Sequence, residues 1–98
     1  MYISNMNHFL DPEGNIAKEM HKHGREHASF LALLIDAATK VYPPSFESTE
    51  IKCIKKRCNG TIEIGFDTKD ENIEWWCTKC SEDGLLSGWQ GSRWDNRK

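Results

Sequence analysis

Four cysteines in two close pairs constrain this chain of 98 residues more than any other feature. Cys53 and Cys58 have the spacing C-x4-C, and Cys77 and Cys80 have the spacing C-x2-C. Two such knuckles can bring four thiolates to the corners of a tetrahedron, which is the geometry that Zn²⁺ accepts in structural sites. The spacing therefore predicts one structural zinc ion held by all four cysteines.

The length of the chain supports a metal, because a small domain buries only a limited core and commonly needs a metal or disulfides. The segment Met1–Leu10 lacks a basic start followed by an apolar run, and no apolar stretch is long enough to span a membrane. We therefore expect a cytoplasmic, reducing location without membrane association, which favours metal over disulfides. Disulfide pairing and an iron site of the rubredoxin type remain open, although the wider C-x4-C pair argues against iron.

The N-terminal half has the pattern of one amphipathic helix. After turn residues at 11–15, apolar residues and histidines recur at alternating steps of four and three from Ile16 to Val41. Pro43 and Pro44 cannot continue such a helix. The pattern predicts a helix over about residues 16–41.

After a polar linker at 45–50, the apolar period changes to two. Alternation at 61–66 and 72–75 predicts two strands joined by a polar hairpin loop at 67–71, and a third strand is expected over 84–89. The expected fold is α+β, with an N-terminal amphipathic helix followed by a small three-stranded antiparallel zinc ribbon. The expected domains are an N-terminal segment, 1–44, and a four-cysteine ribbon, 45–98.

The second knuckle and the end of the chain carry a more specific pattern. Trp76-Cys77-Thr78-Lys79-Cys80 is followed by Gly84 and by the stretch Trp89-Gln90-Gly91-Ser92-Arg93-Trp94-Asp95. With this pattern the chain resembles zinc-ribbon proteins, and more narrowly small uncharacterised bacterial proteins with an N-terminal helical segment and a C-terminal W-Q-G-x-x-W-D stretch. The resemblance implies a fold and a metal but no established activity.

Basic and aromatic residues near the cysteines are candidates for partner binding. The basic residues on the first knuckle either offset the charge of four thiolates or contact phosphate groups. The four tryptophans supply buried area to a small core, or stack on bases or a protein partner. The candidate partner-binding residues are Lys55, Lys56, Arg57, Trp76, Arg93 and Trp94.

No catalytic set is recognisable, so we expect a protein that is not an enzyme. His23 and His27 share a helix face, but two imidazoles alone make a weak metal site. The leading hypothesis is a zinc-binding module for a protein partner, since the net charge is −2 and the helix offers an apolar face. The alternative is a nucleic-acid-binding ribbon that uses the basic knuckle and an exposed tryptophan. A homodimer formed through the helix is a further expectation.

Overall fold

The computed structural model describes residues 2–40, 47–55, 57–66 and 71–97. Within these ranges the chain forms five strands and one α-helix. In chain order these are β1 (Tyr2–Asn5), α1 (Lys22–Lys40), β2 (Glu47–Lys52), β3 (Thr61–Phe66), β4 (Ile73–Cys77) and β5 (Asp83–Ser87). A short 3₁₀ turn, Met6–Phe9, follows β1.

The five strands form one mixed sheet in the order β1-β5-β4-β3-β2. The pairs from β5 to β2 are antiparallel, whereas β1 runs parallel to β5 with Ile3 opposite Leu85. Alternate residues of a strand face opposite sides of the sheet. Ile62 and Ile64 of β3 are therefore buried together with Ile73 and Trp75 of β4.

Helix α1 packs on that side of the sheet and completes the core. Phe30 contacts the Trp75 ring edge to face, with ring centroids 5.1 Å apart. Leu31, Leu34 and Ile35 are fully buried. The apolar stripe of α1 is thus held by the apolar side of the sheet, which is the main source of stability for a helix of this length.

The predicted three-stranded antiparallel ribbon is wrong, because the sheet has five strands and is mixed. The three predicted strands correspond to β3, β4 and β5, and the sheet gains β1 and β2 at its two edges. Edge strands need not show apolar alternation, since one edge and one face can meet water. Strand β2, with the sequence Glu-Ser-Thr-Glu-Ile-Lys, therefore lacks the alternation that would distinguish its first four residues from the predicted linker at 45–50.

The predicted helix start at Ile16 is also wrong, because α1 begins at Lys22. Asp11 accepts hydrogen bonds from the amides of Glu13 and Asn15, at 3.0 and 2.9 Å, and this turn places Ile16 in a bridge with Leu10. The N-terminal segment therefore returns on itself before the helix begins.

Some predictions concern residues outside the described ranges. The helix end at Val41, the prolines that follow it and residues 67–70 of the hairpin loop lie there. The domain division at residue 44 stays a prediction. Contacts nevertheless cross this division, since β1 pairs with β5 and α1 packs on the sheet.

Candidate metal centre

The topology brings the two cysteine knuckles to the same end of the sheet. Cys53 follows β2 and Cys58 precedes β3, while Cys77 ends β4 and Cys80 lies in the turn before β5. Because β3 and β4 are adjacent in the sheet, the turn between β2 and β3 lies beside the turn between β4 and β5. The sequence therefore places both knuckles side by side through two antiparallel hairpins.

The four sulfur atoms form a compact cluster, with every pair within 4.8 Å. The Sγ atoms of Cys53 and Cys80 are 3.6 Å apart, and those of Cys58 and Cys77 are 3.5 Å apart. A tetrahedron with metal–sulfur distances of about 2.3 Å has edges of about 3.8 Å, close to these values. A disulfide would need about 2.05 Å, and all four cysteines are free thiols. The geometry fits a four-cysteine metal site.

Backbone amides of the knuckles point at the sulfur atoms. The amide of Gly60 lies 3.4 Å from the Sγ of Cys58, and the amides of Lys79 and Cys80 lie 3.4 and 3.5 Å from the Sγ of Cys77. Hydrogen bonds of this kind favour the thiolate, which is the form that binds metals. The backbone of each knuckle thus stabilises the thiolate form that binds a metal cation.

The pKa values of the cluster follow from burial and from these amides. Burial raises the pKa of the Cys53 thiol to about 12. Burial acts in the same direction on Cys77, but the amides of Lys79 and Cys80 outweigh it and lower the pKa of that thiol to about 6. One sulfur therefore ionises readily, whereas complete ionisation of the cluster needs a bound cation to offset the negative charge.

The absence of a side chain at Gly60 allows the two knuckles to pack closely. A Cβ atom at this position would collide with the Sγ of Cys77 and would lie 3.1 Å from the Cβ of Lys79. The neighbouring Thr61 carbonyl accepts a hydrogen bond from the Thr78 amide at 3.0 Å. The first knuckle thus packs directly on the second, and only glycine fits at the point of closest approach.

Exposed cations lie on both cysteine knuckles. Lys55 and Arg57 lie on the first knuckle, as predicted, and Lys79 lies on the second. Lys79 is not among the predicted partner-binding residues, although its position between Cys77 and Cys80 is a sequence signal for it. Lys56 lies outside the described residues. Arg57 has a left-handed backbone conformation with φ of 69°. Glycine adopts this conformation at lower cost than a residue with a side chain.

The other candidate partner-binding residues lie elsewhere. Trp76 is on the side of the sheet that faces away from α1, where its Nε1 donates to Glu63 at 2.9 Å. Arg93 donates to the side chain of Asn15, in the turn that Asp11 forms before α1. Trp94 is partly buried against the core. Arg93 and Trp94 follow β5 at the end of the sheet opposite the cysteines, so the structure does not bring the five described candidates together.

The W-Q-G-x-x-W-D stretch has a structural role. Trp89 is fully buried, and its Nε1 donates to the carbonyl of Glu71 at 3.0 Å. Asp95 accepts from the amide of Gly91 at 2.9 Å and forms an ion pair with Arg97, whose guanidinium lies 4.5 Å from the centre of the Trp89 ring. The stretch therefore closes the end of the core that lies opposite the cysteine cluster.

Comparisons with known proteins do not extend the assignment. No protein-family model, no curated protein and no solved structure matches the chain. Among the described residues, no helix is long and apolar enough to cross a membrane. The resemblance to zinc-ribbon proteins stays an expectation from the sequence.

Proposed function

We propose that the chain is a zinc-binding module in which one structural Zn²⁺, held by the four cysteines, supports a surface for a protein partner. The observation that carries the proposal is the cluster of four sulfur atoms within 4.8 Å of one another. Four cysteine ligands close the shell of the ion, whereas catalytic zinc keeps one position open for water or substrate. Binding and support, rather than catalysis, are the roles that suit such a site.

Zinc suits the cluster better than the alternatives. Thiolate ligands select soft or borderline ions, and Zn²⁺ imposes no geometry of its own on the four sulfur atoms. The sulfur distances argue against a disulfide pair, as described above. Four thiolates and one Zn²⁺ carry a net charge of about −2, which the exposed cations Lys55, Arg57 and Lys79 offset.

Surface charge favours a protein partner over a nucleic acid. The described basic candidates are divided between opposite ends of the sheet, and Trp76 lies among carboxylates, bonded to Glu63 and opposite Asp83 in the β4–β5 register. A stacking platform for bases would need cations around it to hold phosphates. The net charge of −2 gives no general attraction to a polyanion.

Zinc identity and ligand set are tested by metal analysis of the purified protein. We expect one zinc per chain, and we expect Cys77→Ser to lose most of it because a ligand is removed. His27→Ala is the control, since its ring packs against Tyr2 and Phe9 and is not one of the clustered ligands. Iron in place of zinc, or equal zinc loss in both variants, would contradict the proposal.

Nucleic-acid binding is retained as a second candidate because of one local feature, the exposed cations Lys55, Arg57 and Lys79 on the two cysteine knuckles. Titration of the zinc-loaded protein with single- and double-stranded oligonucleotides at two salt concentrations tests it. A fluorescence change that weakens with salt would favour this candidate over a protein partner. We expect a flat response at both concentrations.

A further inference from the structure

The centre of α1 is apolar on almost all sides. Between Ala28 and Ala38 only Ser29 and Asp36 are polar. A helix with this composition is typical of one that is covered on more than one side. The sheet covers one side, yet Leu33 is 54% exposed. A second surface of α1 therefore has the composition of an interface.

This second surface has a regular helical spacing, and we call it the outer stripe. The outer stripe consists of Glu26, Ser29, Leu33, Ala37 and Lys40. It forms one wall of an open groove of about 1120 Å³, whose opposite wall is made by residues 49–52 of β2 and by Ile54 of the first knuckle. The groove extends along most of α1, so another helix can lie against it.

The charges of the outer stripe are complementary to a second copy of the same stripe. Glu26 lies seven residues before Leu33, and Lys40 lies seven residues after it. In an antiparallel pair centred on Leu33, Glu26 therefore lies opposite Lys40 of the partner subunit, and the same contact recurs on the other side of the dyad. The twofold axis thus generates two equivalent Glu26–Lys40 ion pairs between the subunits.

The uncharged positions of the stripe obey the same symmetry. Ser29 and Ala37 lie four residues before and after Leu33, so small residues of the two subunits face each other in this register. Small side chains allow two helices to approach to about 8–10 Å between axes. Leu33 then meets Leu33 of the partner subunit at the centre, where its exposed area is removed from water.

Ion pairs within α1 extend the complementarity. Lys22 lies 4.0 Å from Glu26, and Asp36 lies 2.9 Å from Lys40. In the antiparallel register, the Lys22–Glu26 pair of one subunit lies beside the Asp36–Lys40 pair of the other subunit, at each end of the interface. The resulting groups of four charges alternate in sign, which also fixes the register and disfavours a parallel arrangement.

We propose that the protein partner is a second copy of this chain, which docks through the outer stripe of α1 to form a closed twofold dimer. This inference rests on the proposed protein-binding function and names its partner. A twofold contact uses the same surface on both subunits, as a self-complementary stripe requires. The groove beside α1 receives the helix of the partner subunit.

Sedimentation equilibrium of the zinc-loaded full chain, from micromolar to near-millimolar concentration, tests the dimer. We expect Leu33→Glu to raise the dimer dissociation constant by about a hundredfold or more, because two carboxylates would be buried at the centre. Ile3→Glu is the matched control and should leave the constant unchanged, since Ile3 is 79% exposed on the sheet edge formed by β1. Circular dichroism verifies that both variants are folded.

A monomer at every concentration would overturn the inference, as would a dimer that survives Leu33→Glu or is lost in Ile3→Glu. Zinc content measured on the same samples separates the two proposals. A monomer with one zinc per chain means that the interface is wrong while the metal site stands.

Charge reversal provides a second test that a change in folding cannot imitate. Glu26→Lys or Lys40→Glu alone places like charges at both contacts, and each should raise the homodimer dissociation constant by about tenfold at low salt. A mixture of the two variants has opposite charges at both contacts and should form a heterodimer with nearly the original affinity. Failure of the mixture to associate would overturn the proposed register.

Discussion

Asp95 connects three parts of the C-terminal segment through one carboxylate. It accepts hydrogen bonds from the amides of Gly91 and Arg97 and from the Arg97 guanidinium, at distances from 2.9 to 3.2 Å. The side chain of Arg97 in turn lies over the buried ring of Trp89. The hydrogen bond to Arg97 is the main reason that the pKa of Asp95 falls to about 2.

We expect Asp95→Asn to lower the free energy of unfolding by about 1–2 kcal/mol at neutral pH. A carboxyl whose pKa is lowered in the folded state stabilises above its unfolded pKa, near 4, and this contribution is lost as the pH falls toward 2. Urea unfolding of the zinc-loaded protein at pH 7 measures the effect. Glu13→Gln, at an exposed turn, should change stability by less than about 0.5 kcal/mol. Equal losses in both variants would contradict the assigned role of Asp95.

The close packing at Gly60 predicts that an added side chain there weakens metal binding. Gly60→Ala should weaken metal binding by about 10–100-fold, because the added Cβ displaces the Sγ of Cys77. Gly65→Ala is the control, since a Cβ there meets the Trp76 ring at an ordinary 3.6 Å. Competition with a chromophoric chelator measures both affinities. Unchanged affinity in Gly60→Ala would mean that the knuckles adjust without cost.

At the scale of elements, the sequence predicts those features that depend on a regular spacing of one kind of residue. The cysteine spacing indicated the cluster, and the alternation of Ile62 and Ile64 indicated β3, because buried strands must place apolar residues on one side. The edge strands β1 and β2 lack this signal, because an edge strand need not alternate apolar and polar residues, and β1 pairs with β5 at the far end of the sequence. Ile16 fits the helical pattern, but the local Asp11 turn directs the chain back so that Ile16 pairs with Leu10 instead of starting the helix.

Helix α1 is attached to the C-terminal segment by a buried hydroxyl. Thr39 Oγ1 donates to the carbonyl of Ile35 at 2.7 Å and accepts from the amide of Asn96 at 2.9 Å. Thr39→Val preserves the volume but leaves that amide without its acceptor, so we expect a loss of about 1–3 kcal/mol. Thr39→Ser keeps the hydroxyl and should lose less. The order of the two urea midpoints is the measurement, and a larger loss in Thr39→Ser would show that the methyl group matters more.

At the scale of the whole molecule, the cysteine cluster and the helix support the same sheet from different positions. The cluster joins the β2–β3 and β4–β5 turns at one end, and α1 covers the side that contains Trp75. Strand β1 is held by its pairing with β5, whose first residue, Asp83, lies three positions after Cys80 of the second knuckle. Metal binding, the sheet and the helix should therefore be coupled in folding.

Removal of the metal should consequently unfold more than the cysteine-containing half. Without the ion, no metal–sulfur bonds join the two knuckles. In small domains the free energy of metal binding contributes directly to the free energy of folding. Helix α1 has 19 residues and would be marginal without the sheet, so its signal should be lost in the same transition. Titration with a chelator, followed by far-ultraviolet circular dichroism and by tryptophan fluorescence, should give coincident curves that reverse when zinc is restored. A helical signal that persists after complete metal removal would show that α1 folds independently of the metal centre.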